Sequence, residues 1–249
     1  MNGIKVFGEN FVNGDCAYAF SSGDSGQAYL YDQKQATKWT SSGSSASTEE
    51  SIAITFKNWQ GEEVNRTFDR IILLETNFAL MGADYWDGSA WQAISEAALT
   101  LAAEHKIIEI ASPITASRFR LRCTTVQSGT EKYLGELKVC ESVLDAPRWE
   151  SSFSRRDDKK GDSYRLAEGD LVSWKEWTKV EGTLSLSSVA RADLDEIIPY
   201  MKTATFLTLV LHDDFDLSDC YEFAVSSAPR VQLDRKTELY DVNMELAER

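Results

Sequence analysis

The stretch FDRIILLETNFALMGADYWDGSAWQAI, Phe68–Ile94, decides the fold. Its first half runs continuously apolar from Ile71 to Leu74, which fits a strand covered on both faces or lying centrally in a sandwich. Its second half places Asp87-Gly88 between Tyr85-Trp86 and Trp91. A two-residue type I′ turn needs positive φ at both central positions, and Asp-Gly adopts that geometry at little cost, so a hairpin is predicted there. Further on, ASRFRLRC at Ala116–Cys123 alternates: Phe119 and Leu121 point to one side, Arg118, Arg120 and Arg122 to the other. Such a strand is buried on one face and wet on the other.

The 249 residues are enough for one large or two ordinary domains, and a 43% apolar content can fill two cores, so two domains are expected. A formal charge of −14 repels phosphate backbones and anionic membrane surfaces and argues against a nucleic-acid role; the plainer meaning of that charge is solubility. No run approaches the roughly 18 apolar residues that span a bilayer. The opening MNGIKVFGENFVNGDC has no basic region followed by an apolar core, so no secretory signal is expected and synthesis is expected in the cytoplasm. Cys16, Cys123, Cys140 and Cys220 show no Cys-x-x-Cys spacing, which leaves no zinc or redox motif.

Taken in order, the Asp69-Arg70 and apolar strand, the hairpin with a Trp on either side, the Arg-x-Leu strand and the final Glu-Leu-Lys-Val of Leu134–Cys140 resemble a discoidin-type, or galactose-binding-like, domain. The resemblance covers about Asn10 to Glu141. It includes YLYDQKQATKW at Tyr29–Trp39, with Asp32, Thr37 and Trp39 at matching places and Gln33 and Lys34 where the family often has Gly and an acidic or amide residue. It implies a jelly-roll β-sandwich over residues 1–142 that binds or assembles. It also implies a structural calcium held by Asp32, Thr37 and Glu136, the one cofactor to consider. Against it, Lys34 brings a positive charge to the site; the plainer reading makes Asp32 and Thr37 a loop cap and gives Glu136 a neighbouring amide. Extracellular relatives suggest a Cys16–Cys140 disulfide, which a reducing compartment would keep open. For a glycan, the resemblance points to loop residues: Trp39, Trp59, Arg66, Asn77 and Phe78. Trp39, Trp86 and Trp91 read better as core or hairpin packing, leaving Trp59, in the polar KNWQGEE loop, as the exposed aromatic.

Residues 143–249 read as a second β domain with one helix. A boundary falls over Ser142 to Gly161, where Asp145-Ala146-Pro147 ends the last sandwich strand. SRRDDKKGD at Ser154–Asp162 is a solvated run, either a linker or the arm of a long hairpin. Strands are predicted at Leu171–Leu186 and Thr205–His212. Between them a helix carries Leu194, Ile197, Ile198 and Met201, with Ser188 as its cap and a kink at Pro199. Tyr240, Val242, Met244 and Leu246 alternate with Asp241, Asn243 and Glu245 as a half-buried terminal strand. In the first half, Ser41–Ser47 is a Ser/Gly loop, and Lys106–Ile110 is a strand. Ser95–His105 has helical propensity, yet the tertiary pattern makes it a loop and edge strand. The strand-helix-strand order of Trp177–Leu211 is similar to phage tail tube and distal tail proteins.

Catalysis has little support. His105 and His212 are the two histidines and neither neighbours a nucleophile motif. His212, Asp213, Asp214 and Asp216 read as an Asp-rich turn rather than a metal site, and no carboxylate pair stands out for glycoside hydrolysis. The expectation is therefore a non-enzymatic structural and adhesion protein of a phage tail tip or tail-like injection machine, located in the virion tail. Its partners would be other tail or baseplate proteins, further copies of itself and a host-surface glycan, with no nucleic acid and no membrane insertion. The alternative is a free-standing carbohydrate-binding module; a hydrolase with an appended discoidin domain is a thinner third.

Overall fold

The structure, a computed structural model, describes residues 5–23, 26–32, 34, 37–42, 47–101, 103–127, 129, 131–144, 150–165, 171–192, 194–195, 198, 202, 206–210, 220–234 and 238–248. The chain divides into two compact units, one of Phe7–Ser142 with Asp214–Cys220, the other of Met1–Val6, Val143–Asp213 and Tyr221–Arg249. The fold is mainly β: a two-sheet antiparallel sandwich and a second β unit.

In the first unit, a four-stranded sheet has the order β3 (Trp39–Thr40), β10 (Tyr133–Cys140), β5 (Arg66–Thr76), β8 (Lys106–Ala116). A five-stranded sheet has the order β2 (Ala17–Phe20), β4 (Glu50–Thr55), β9 (Arg118–Val126), β6 (Phe78–Trp86), β7 (Trp91–Thr100). Every neighbouring pair is antiparallel. Ile71, Ile72, Leu73 and Leu74 are all 0% exposed, as the unbroken apolar run requires. Ile71 and Leu73 face the core between the sheets, where Phe11, Phe56, Phe68 and Phe119 meet edge to face in succession. Each fully buried ring stabilises the sandwich by roughly 1.5–3 kcal/mol through removal from water. On β9, Phe119 and Leu121 are buried while Arg118, Arg120 and Arg122 lie on the outer face, as the alternation predicts.

The alanine-rich segment after Ile94 is strand: β7 pairs with β6 through Met81↔Leu99 and Leu80↔Thr100 at the edge of its sheet, burying Ile94 and Ala97. Cross-strand packing has overridden helix propensity. The hairpin itself differs from the two-residue prediction. Trp86 pairs with Trp91 across a four-residue loop, and positive φ is confined to Gly88, at 100°. Asp87 closes that loop with its carboxylate: Oδ1 accepts the N–H groups of Ser89 and Ala90 and the Ser89 hydroxyl, and Oδ2 accepts the Gln92 amide.

The second unit is built on one sheet ordered β11 (Ser142–Leu144), β1 (Lys5–Phe7), β14 (Phe206–Val210), β15 (Cys220–Val225), β17 (Leu239–Glu248), β13 (Leu171–Val189), β12 (Glu150–Arg165), with β16 (Arg230–Asp234) also paired to β17. The first strand of the chain thus belongs with the C-terminal segment, and the sandwich is inserted between them. SRRDDKKGD is neither linker nor loop: it lies in β12, which pairs along its length with β13 as a long hairpin. Val242, Met244 and Leu246 of β17 are buried, facing Leu184, Leu186 and Phe223.

Helix is present where predicted, at Arg191, Ala192, Leu194, Asp195, Ile198 and Lys202, with Leu194 and Ile198 on the core. Ser188 is not its cap. It sits inside β13 with φ 64°, at a register shift before Val189, and the helix starts after it, the Leu194 N–H donating to the Ala190 carbonyl. Ile197, Pro199, Met201, Asp145, Ala146, Pro147, His212, Asp213, Asp214 and Asp216, and residues 43–46 of the Ser/Gly loop, lie outside the described residues. Among the described residues no helix is long and apolar enough to cross a membrane.

Candidate binding site

Residues 56–65 connect β4 to β5, and the polar sequence KNWQGEE folds into a braced tip. The Asn58 side-chain oxygen accepts the N–H groups of Gln60 and Glu62, its amide donates to Glu62 Oε2 at 2.9 Å, and the Asn58 N–H donates to the Glu62 carbonyl at 3.0 Å. Gly61 takes φ 82°, a conformation that side-chain-bearing residues rarely adopt. Within this frame Trp59 is 81% exposed. The hydrogen bonds brace the loop backbone on either side of Trp59, and the ring itself stands in water.

The strand registers place this tip beside two other turns. Thr55 pairs with Arg118, Arg66 with Ala116, Tyr85 with Phe119 and Trp86 with Trp91, so the β4–β5 loop, Ser117 and the 87–90 hairpin share one end of the sandwich. Glu63 ties two of them together, accepting from Arg118 Nε and Nη2 at 2.9 Å each and from the Ser117 hydroxyl at 2.6 Å. These bonds, the Arg118 guanidinium first, hold the Glu63 carboxyl below the usual range. Arg118 also lies over the Trp86 ring and Arg120 over the Trp91 ring, at 5.6 and 4.6 Å, while the two indoles meet edge to face at 5.5 Å. Arg66 lies 5.2 Å over the Phe11 ring. Trp86 and Trp91 pack the hairpin, as read from the sequence.

The other glycan candidates do not join this end. Arg66 opens β5 and Asn77 follows its last residue, 11 residues of strand apart, or roughly 36 Å at the usual rise. Asn77 is 4% exposed, donating to the Glu131 carbonyl at 2.7 Å and accepting the Tyr133 N–H at 2.9 Å. Phe78 is 1% exposed, in the core. Trp39 is 0% exposed and donates to the Gly23 carbonyl. Trp59 and Arg66 remain as surface candidates, because the aromatic and amide that close the far end are interior closures rather than contact groups.

The residues considered for calcium are each engaged within the fold. The Thr37 hydroxyl donates to Asp32 at 2.8 Å, and the Lys34 N–H donates to Asp32 Oδ1 at 3.0 Å, which is the loop cap. Glu136 lies on β10 with Lys138 two residues on, both 0% exposed, their Oε2 and Nζ 2.9 Å apart. Among the described residues no group of three or more His, Cys, Asp and Glu side chains is placed to hold a metal. His105 accepts the Glu75 N–H through Nδ1 at 3.1 Å, fixing the β7–β8 connection. Cys16, Cys123 and Cys140 are free, buried thiols, Cys220 is buried, and Cys16 donates to the Phe11 carbonyl.

Residues missed from sequence are Glu63, Asp84 and the cationic side of β9 as a partner for the hairpin tryptophans. The alternating arginines carried that signal, since three guanidiniums along one face need carboxylates or rings beside them.

No protein-family model and no curated protein matches the chain. Among solved structures it is similar to chitosan-binding module 1 of a Paenibacillus sp. IK-5 chitosanase/glucanase, at 17% identity over 53% of this chain and 98% of the module, TM-score 0.43. It is similar also to the family 32 carbohydrate-binding module of Clostridium perfringens NanJ in complex with galactose, at 14% identity over 55% of this chain and 99% of the module, TM-score 0.43. A third similar chain is described as an alpha-L-fucosidase from Bacteroides thetaiotaomicron, at 17% identity and TM-score 0.45, with 54% of this chain covering 29% of that one.

Proposed function

We propose that the sandwich is a non-catalytic saccharide-binding module whose contact surface is the β4–β5 tip. One observation carries this reading: Trp59, 81% exposed, stands on a loop that its neighbours hold in place. A flat indole face covers the apolar face of a sugar ring, and a pre-ordered loop avoids most of the cost of fixing its backbone on binding. Arg66 and the Arg118–Glu63 pair at the same end supply hydrogen-bonding groups around it. Calorimetric titration of the full chain with a panel of neutral mono- and oligosaccharides is the test. Saturable binding that Trp59→Ala removes supports the proposal; a panel that gives no heat at millimolar sugar overturns it.

The β12–β13 hairpin favours a second reading, in which the chain is a structural and adhesion component of a phage tail tip or related injection machine. Its strands of 16 and 19 residues pair with a single register shift at Lys160/Gly161 and carry an Arg-Arg-Asp-Asp-Lys-Lys run suited to assembly with other tail proteins. Negative-stain imaging with an antibody against the chain checks this. Labelled tail tips support it, and a chain absent from every particle counts against it.

A further inference from the structure

The short strand β16 lies off the main strand order of the second unit's sheet, beside the interior strand β17. Among the described residues it pairs with β17 alone, and all five of its residues are exposed. Its register, Val231↔Val242 and Leu233↔Tyr240, puts both apolar side chains on the face where Val242 is buried and Tyr240 packs on the core. Yet Val231 is 42% and Leu233 47% exposed, so the apolar layer of the sheet continues past its covered part. Arg230, Val231 and Gln232 line a trough of about 480 Å³ with Thr183, Asn243 and Glu245. The strand contains no Lys or Pro, and its two charges, Arg230 and Asp234, are of opposite sign.

We propose that β16 pairs with β16 of a second copy of this chain, antiparallel about a two-fold axis at Gln232. The occupant is set by complementarity in the strand's own order, Arg-Val-Gln-Leu-Asp. Antiparallel self-pairing places Arg230 opposite Asp234 of the other copy, Val231 opposite Leu233, and Gln232 opposite itself, so both ion pairs and both apolar pairs form at once. A parallel arrangement would set Arg against Arg and Asp against Asp. Two-fold closure is what an isologous contact requires, and cross-strand pairs of this kind are what stabilise a sheet. The four apolar side chains would carry the Val242–Tyr240 row across the axis, and the two sheets would become one. The inference is independent of the saccharide reading, which concerns the other unit.

Sedimentation velocity of the full chain up to about 100 μM, the range for a small edge contact, supplies the test. The wild type is expected to shift toward twice the 27.9 kDa chain mass. Arg230→Asp and Asp234→Arg should each weaken self-association about 100-fold or more, since each sets like charges face to face. Mixing the two variants should restore the dimer, because each then meets its opposite. Arg230 lies 3.5 Å from Glu245 and Asp234 is likewise engaged within its own chain, so the recovery on mixing separates pairing between copies from those internal contacts. Gln232→Lys, at an exposed position on the axis, gives a second like-charge pair if either reversal fails to fold. A wild type that stays monomeric, a reversal that leaves the dimer intact, or a mixture that does not recover would each overturn the proposal.

Discussion

Asp84 and Arg122 face each other across β6 and β9 in a two-point ion pair, Nε to Oδ2 at 2.8 Å and Nη2 to Oδ1 at 3.0 Å. Arg120 adds a third bond to Oδ2 at 2.8 Å, and the Asp84 side chain is 4% exposed. One carboxylate thereby holds two guanidiniums on the outer face of the five-stranded sheet. Asp84→Ala is expected to lower unfolding free energy by about 2–4 kcal/mol, the loss when a buried charge partner is removed. Urea denaturation checks this, and a loss under about 0.5 kcal/mol would assign the pair to the weak surface class.

Asp87 titrates as a turn clamp. The Ala90 and Ser89 N–H groups, then the Ser89 hydroxyl and Gln92 amide, hold its carboxyl well below the usual range. A folded-state value below the unfolded one adds stability above the ordinary Asp value of about 3.9, and that stability is lost as pH falls through the folded value. The stability gap between wild type and Asp87→Ala should therefore be full at neutral pH and shrink below about pH 4. Thermal melts of both proteins over that range measure it.

Asn77 and Trp59 should separate cleanly. Asn77→Ala strands the Glu131 carbonyl and the Tyr133 N–H in a part-buried site, and should cost about 1–3 kcal/mol. Trp59→Ala, at an exposed tip, should change stability by less than about 0.5 kcal/mol while removing any sugar binding. Denaturation and calorimetry on the same two variants give both readouts.

Burial pushes the Cys123 thiol up to about 12 and raises that of Cys140 as well. At pH 8 both are thiols rather than thiolates, so alkylation of the folded protein is expected to be at least about 100-fold slower than in urea. Mass spectrometry of iodoacetamide adducts reports it site by site.

Gly182→Ala tests the packing of the second unit. A β-carbon there would stand 2.3 Å from the Phe153 ring and 2.8 Å from the Ser154 carbonyl. The ring cannot yield without disturbing its contact with Phe223, 5.3 Å away between centroids. Overpacking of this kind costs about 1–3 kcal/mol, and the loss should appear in the transition of the second unit while sandwich signals hold.

Much of the sandwich was legible because its signals are local. The run Ile71–Leu74, the Phe119/Leu121 alternation and the turn at Asp87-Gly88 each act through neighbours in sequence, and each became the element its pattern implies. The turn's type was misread because Asp87 uses its carboxylate where a positive φ was expected. The site was less legible, for a different reason. Trp59 could be read as exposed from the polarity of KNWQGEE, but the distance between Arg66 and Asn77 depends on strand length and register, which residue types alone do not state. Glu63 and Arg118 are 55 positions apart, and no local pattern links them. In the second half, SRRDDKKGD has the composition of a loop; its strand conformation comes from the partner β13, and a partner is a property of the whole chain.

β1 pairs with β11, and between Phe7 and Ser142 the whole sandwich is made. During synthesis the opening strand must therefore wait for its sheet while an entire domain is produced and closed, its ends joined by the Gly8–Glu141 hydrogen bond. The sandwich can fold as a cassette on the ribosome, whereas the host sheet carries a long-range closure that slows it and leaves its edges open meanwhile. Exchanging the cassette for another with equally close ends would re-equip the host without cutting its own strands.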